Sequence, residues 1–127
     1  MADEHSHEEL VSTIAKQMEP VLQKSKQGVY IYLDDVHKIC NDNFAKMLGY
    51  KSAKEWGETD APLADVMEED QKAVISVYEQ AVEKFIASSL DITMKNVQND
   101  KRIKTSMIVA PLMLDGHVFT IHFFNQM

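Results

Sequence analysis

The sequence predicts an α+β domain with one five-stranded antiparallel sheet, helices on one face of it, and an amphipathic helix at the N-terminus. Three observations lead there. Two strand-like runs stand early, at residues 29–33 and 37–41, and three more stand at the end, between residues 90 and 125. Helical periodicity fills the stretches before and between them, an order that favours one sheet with segregated helices over alternating βα units. The length of 127 residues suits a single domain, and an apolar fraction of 45% is enough for one core.

Residues 6–26 read as the first helix. Leu10, Ile14, Met18 and Val21/Leu22 recur every three or four residues, and Ser6 stands at capping-box distance from Glu9. Pro20 disfavours helix at Glu19 and lacks an amide donor, so a kink or two short helices are expected there. Gly28 stops the helix. Val29, Ile31 and Leu33 then alternate with Tyr30 and Tyr32 in a first strand closed by Asp34-Asp35. A second strand, residues 37–41, follows a tight turn. Asn41-Asp42-Asn43 caps a helix carrying Phe44, Met47 and Leu48, which Gly49 ends. Short helices are expected at 52–56 and 62–67.

The clearest helix spans 69–87. Val74, Tyr78, Ala81, Val82, Phe85 and Ile86 form its apolar face, and Glu68, Glu69 and Asp70 sit where the helix dipole favours negative charge. Beyond it the period drops to two. Leu90, Ile92 and Met94 alternate with polar residues, Asn99-Asp100 marks a turn, and a long strand covers 102–114 with Pro111 at an edge or bulge. Asp115-Gly116 is a two-residue hairpin signal, and the last strand is 117–125. With the aliphatic side of each strand taken as the inner one, Phe119, Ile121 and Phe123 face the helices, while Val118, His122 and Phe124 face away.

Several segments in this order resemble the PAS domain family. Gly28-Val29-Tyr30-Ile31-Tyr32-Leu33-Asp34 is similar to that family's first strand with its closing acid. Ile39 to Tyr50 resembles its "N…F…LGY" segment, Ala53-Lys54-Glu55-Trp56-Gly57 its following helix, and Leu63 to Asp70 its approach to the long helix. The resemblance covers residues 28–126, so residues 28–127 are expected to form a PAS-like domain and residues 1–27 a capping or dimerising helix. It departs at the first turn, Asp34-Asp35-Val36-His37, which is short and has no glycine. The resemblance implies strand order 2-1-5-4-3, and a pocket between sheet and helices that serves in sensing or in protein association.

Other chemistries lack their residues. A charge of −7 with scattered Lys and Arg argues against nucleic acid. The start has neither the basic segment nor the apolar run of a signal peptide, and no run approaches ~18 apolar residues, so a cytoplasmic protein without membrane contact is expected. Cys40, the single cysteine, reads as a small buried hydrophobe. The resemblance implies a flavin-reactive Cys in the 62–67 helix, a later Cys for a coumarate chromophore, or an axial haem His on the long helix; this chain has none of these. His117 and His122 differ in parity and cannot share a metal. His5-Ser6-His7, amid Asp3, Glu4, Glu8 and Glu9, reads as a solvated helix start, and the acids from Glu55 to Asp70 as a solvated surface. No metal site and no cofactor is expected beyond an unknown small apolar ligand.

The expectation is a stand-alone PAS-like sensory or signal-transduction module, not an enzyme. Ile31, Phe44, Met47, Met67, Val74, Tyr78, Ile92, Met94, Met107, Phe119, Ile121 and Phe123 are the candidate pocket wall, with flexible Met side chains suited to apolar ligands. Leu10, Ile14, Met18, Leu22, Tyr30, Tyr32, Val118, His122 and Phe124 are the candidate dimer interface, because an apolar sheet face needs cover from the N-terminal helix of its own chain or of a second copy. A homodimer and a signalling partner protein are the expected associations. The alternatives are a structural homodimerisation domain with a filled core, and a small cone-shaped isomerase using Asp91 and Tyr78.

Overall fold

The computed structural model describes residues 2–127, with side chains from His7 onward. Helices α1 (Ala2–Gln17) and α2 (Glu19–Lys24) precede strands β1 (Gly28–Asp34) and β2 (His37–Cys40). Then come α3 (Asp42–Met47), α4 (Ala53–Gly57), a 3-10 turn (Pro62–Asp65) and the long α5 (Glu68–Lys84). Strands β3 (Ser88–Lys95), β4 (Arg102–Leu114) and β5 (His117–Gln126) complete one antiparallel sheet in the order β2-β1-β5-β4-β3. The expected five strands and their expected order are present. Among the described residues, no helix is long and apolar enough to cross a membrane.

Pro20 divides the N-terminal segment into two helices, with Met18 between them. The first starts at Ala2, so Ser6 lies within it instead of capping it, a correction to the expected start. Asn41 caps α3 as expected: its Oδ1 accepts from Phe44 N at 3.0 Å and Val29 N at 2.9 Å, and its Nδ2 donates to Gln27 O at 2.9 Å. One side chain thus joins the start of β1 to the start of α3. Ser52 caps α4, accepting from Glu55 N. The long helix stops earlier than expected. Phe85 adopts a left-handed conformation at φ 58°, which turns Phe85 (53% exposed) and Ile86 (44%) out to solvent. Pro111 lies beyond Val109, the last β4 residue paired with β3, so its missing donor faces no strand on that side.

Both sheet faces are covered. On the inner face, Tyr30, Phe44, Ala45, Leu48, Trp56, Val74, Ile92, Met94, Ile103, Met107 and Phe124 form a core beneath α3, α4 and α5. On the outer face, Leu10 and Ile14 of α1 are buried with Val29, Ile31, Phe119 and Ile121, and Met18, Leu22 and Phe123 pack half-buried beside them. The N-terminal helix therefore covers its own sheet.

This arrangement corrects the expected faces of β1 and β5. Ile31, Phe119, Ile121 and Phe123 are on the outer side, and Tyr30, Tyr32, His122 and Phe124 are on the inner one. Val118 shares their parity. Alternation gives the period of a strand, but not its phase when both faces are buried. The phase is fixed by the hairpin at Asp115-Gly116. Leu114 pairs with His117 across it, so odd β4 positions meet even β5 positions, and Met107 pairs with Phe124. Tyr30 pairs in turn with His122, which carries the phase to β1.

Candidate functional site

An open cleft of about 350 Å³ lies between the inner sheet face, the 3-10 turn and α5. Its floor is Tyr30 and Tyr32 of β1 with His122 of β5. Ala61, Pro62, Leu63 and Val66 make one wall, Val74, Ile75, Tyr78 and Glu79 the other, and Asp35 stands with them. Alternation along β1 points Tyr30 and Tyr32 the same way, and the helical spacing of 74, 75, 78 and 79 places the α5 residues on one stripe.

The floor is ordered by ring packing. Tyr30 stacks on His122 at 4.1 Å between centroids, with planes 17° apart, and touches Phe44, Trp56 and Phe124 at 5.0–5.6 Å. Tyr32 meets Tyr78 edge to face at 5.3 Å and donates its hydroxyl hydrogen to Asp35 Oδ1 at 2.7 Å. His122 Nε2 hydrogen-bonds with Thr120 Oγ1 at 2.9 Å, and its buried Nδ1 has no protein partner. Burial pushes the His122 pKa down to about 3, so the ring is neutral. Burial also raises Tyr30, Tyr32 and Tyr78, each reinforced by nearby acidic or phenolic groups, so all three phenols stay protonated. The cleft therefore offers aromatic faces, neutral hydrogen-bonding groups and two carboxylates. It suits an uncharged or cationic guest and disfavours an anion.

Lys38 holds the turn beside the cleft. It is 4% exposed, and its Nζ donates to the carbonyls of Asp35 (2.6 Å), Gly57 (3.4 Å) and Thr59 while lying 5.2 Å from the Trp56 ring centroid. Burial lowers its pKa, against the pull of Asp35, Asp60 and Asp34. The β1–β2 turn is thereby tied to the loop that leads to Ala61.

Of the candidate pocket residues, Val74 and Tyr78 line the cleft. Phe44, Ile92, Met94 and Met107 are packed in the inner core with Met47 half-buried against it, Met67 is partly exposed ahead of α5, and none of these six lines the cleft. Of the interface candidates, Tyr30, Tyr32 and His122 line it instead. The register signal of Asp115-Gly116 was available in the sequence for finding them. No comparable signal marks Ala61 to Val66, which reach the cleft through a chain path and not a periodic pattern.

Asp91 is exposed on β3 and is not among the cleft residues, so the Asp91–Tyr78 pair of the isomerase alternative is not assembled. Cys40 is buried, and burial pushes its thiol up to about 12, which leaves no reactive thiolate. Within the acidic run, Asp65 is buried and accepts from the Tyr50 hydroxyl, and Asp70 accepts from Thr93 N at 2.7 Å. His7, Asp34 and His37 gather on the opposite side of the β1–β2 turn, the one group of metal-capable side chains among the described residues.

No protein-family model matches the sequence, and no curated protein matches it. Solved structures do. The chain is similar to the PAS domain of a protein from Colwellia psychrerythraea, at 13% identity and a TM-score of 0.71, over 90% of this chain and 97% of that one. It is similar to the PAS domain of an HTR-like protein from Haloarcula marismortui, at 12% identity and 0.65, over 97% and 99%. The PAS domain of the nitrogen regulation protein NR(II) from Vibrio parahaemolyticus matches at 11% identity and 0.67, over 85% and 95%.

Proposed function

From the PAS fold that these likenesses establish, we propose that the chain is a sensory module. It binds a small, flat, uncharged or cationic molecule in the cleft between Tyr30, Tyr78 and His122, and it is a receptor, not an enzyme. The observation that carries this reading is the cleft itself. Its 350 Å³ lies in the size range of small-molecule sites, its walls are apolar, and a few polar groups converge on it. The neighbours include a PAS domain from a two-component sensor histidine kinase and the N-terminal domain of a diguanylate cyclase with a PAS/PAC sensor, which supports a signalling role.

The floor residues lie on β1 and β5, whose opposite faces carry Ile31, Phe119 and Ile121 beneath α1. A guest that favours one packing of this sheet shifts α1 with it, and only a difference in affinity between the two packings moves the equilibrium. We assign the output to association with a second copy through the outer-face strip at exposed Ile108 and its cross-strand neighbour Phe123. Light scattering of wild type and Ile108→Lys tests that step, with a dimer expected only for wild type.

The binding step is tested by NMR of labelled protein against a library of small aromatic and heteroaromatic compounds. Shift changes confined to Tyr32, Leu63, Val74, Tyr78 and His122, and lost in Ala61→Trp, support the reading. Compounds that bind only elsewhere, or none that bind at all, contradict it.

A further inference from the structure

We propose that His7, Asp34 and His37 form a binding site for a borderline divalent transition-metal ion of the zinc type, which pins α1 to the β1–β2 turn. The site is separate from the cleft and does not rest on its function. His7 Nδ1 lies 2.9 Å from Asp34 Oδ2, and His37 Nδ1 lies 2.7 Å from Asp34 Oδ1. One donor atom from each of the three residues falls within 4.8 Å of the other two. Tetrahedral coordination at ordinary Zn–N and Zn–O lengths separates ligand atoms by ~3.3 Å. Exchanging the shared protons for an ion lengthens each His–Asp separation by about half an ångström and closes the remaining ligand separation by up to ~1.5 Å, within reach of side-chain torsions.

Three features distinguish this group from a chance surface contact. Asp34 Oδ1 accepts from Val36 N (3.1 Å) and His37 N (2.9 Å), so the turn itself orients the carboxylate, as supporting bonds do around metal ligands. His37 is buried while the His7 and Asp34 side chains are 26% and 38% exposed, which gives a firm base with an entry path. The His7 ring is also held in place from two sides, packing edge to face on His37 at 5.5 Å and on His117 at 5.2 Å between centroids. Two imidazoles and one carboxylate suit Zn²⁺ and its neighbours better than Mg²⁺ or Ca²⁺, which prefer all-oxygen shells.

The ligands come from α1 and from the turn whose other arm, Asp35 with Lys38, stands beside the cleft. Ion binding would fix the helix that covers the outer face, and so set how freely it moves. The expected absence of a metal site is reversed by this proposal.

The test uses the full chain, stripped by chelator and titrated with Zn²⁺ by calorimetry. Saturation at one equivalent is expected, with affinity reduced ~10-fold or more in both His7→Ala and His37→Ala. Excess Zn²⁺ should raise the wild-type Tm by ~5 °C or more, and should slow amide exchange in α1. His7 sits on a half-exposed helix position, so its variant keeps the proposal testable if His37→Ala folds poorly. Equal Zn²⁺ binding by wild type and His7→Ala would overturn the proposal. So would binding that persists in His37→Ala and is lost only in His5→Ala, which would place the ion on the N-terminal turn alone.

Discussion

The imidazole of His122 lies flat against the phenol of Tyr30, 4.1 Å away between centroids and 17° from parallel. The two are direct cross-strand partners in β1 and β5. Their contact puts an aromatic floor under the cleft and commits the aliphatic side of both strands to α1.

That burial has a consequence for acid stability. The folded state holds His122 neutral down to about pH 3, whereas the unfolded chain takes up the proton near 6.5. Unfolded protein thus carries more protons between those values, and stability is lost as pH falls through that window, by up to ~1.4 kcal/mol per pH unit. His122→Phe keeps a ring against Tyr30 and removes the titration. Urea unfolding at pH 6.5 and 4.5 should show the stability difference shrinking by about 2 kcal/mol in the variant.

Asn41 serves two elements with three hydrogen bonds, to Gln27, Val29 and Phe44. Asn41→Ala leaves the buried Val29 and Phe44 amides without their acceptor. We expect a loss of about 2–3 kcal/mol by chemical denaturation, above the usual cost of a helix cap alone.

Gly49 ends α3 at φ 87°, and a Cβ there would meet Asn96 Oδ1 at 2.5 Å. Asn96 has little room to move away, because that oxygen accepts from Gln98 N and Asn99 N. Gly49→Ala should cost roughly 2 kcal/mol through backbone strain and the displaced turn. The same substitution at Gly116, where a Cβ meets nothing within 4 Å, isolates the strain at positive φ and should cost less.

The fold was readable because its signals are local and agree with one another. Gly49 after Leu48, Asp115-Gly116 before His117, and the alternation of Leu90, Ile92 and Met94 each define an element without reference to the rest. The cleft was harder. Tyr30 and Ile31 are both nearly fully buried, at 6% and 1%, so hydrophobicity could not say which faced the helices. The register of the last hairpin could, since it places His122 opposite Val109 and on the face of Met107. The His7–Asp34–His37 group joins residues 27 and 3 positions apart, a spacing with no motif behind it.

Removing residues 1–26 would uncover Val29, Ile31, Phe119 and Ile121. Leu10 and Ile14 each contribute on the order of 1.5–3 kcal/mol by their burial. The shortened chain should self-associate or lose stability by several kcal/mol, as read by light scattering and thermal melts. A stable monomer of unchanged Tm would contradict the outer-face packing.

The most direct measurement is a set of side-chain NOEs on the intact protein. The observed sheet phase predicts cross-peaks from the His122 and Tyr30 rings to each other and from Tyr32 to Tyr78, with the Leu10 and Ile14 methyls contacting Ile31, Phe119 and Ile121. Cross-peaks from Ile31 or Ile121 to Val74 and Tyr78, with His122 near Ile14, would reverse the faces and remove the floor of the cleft.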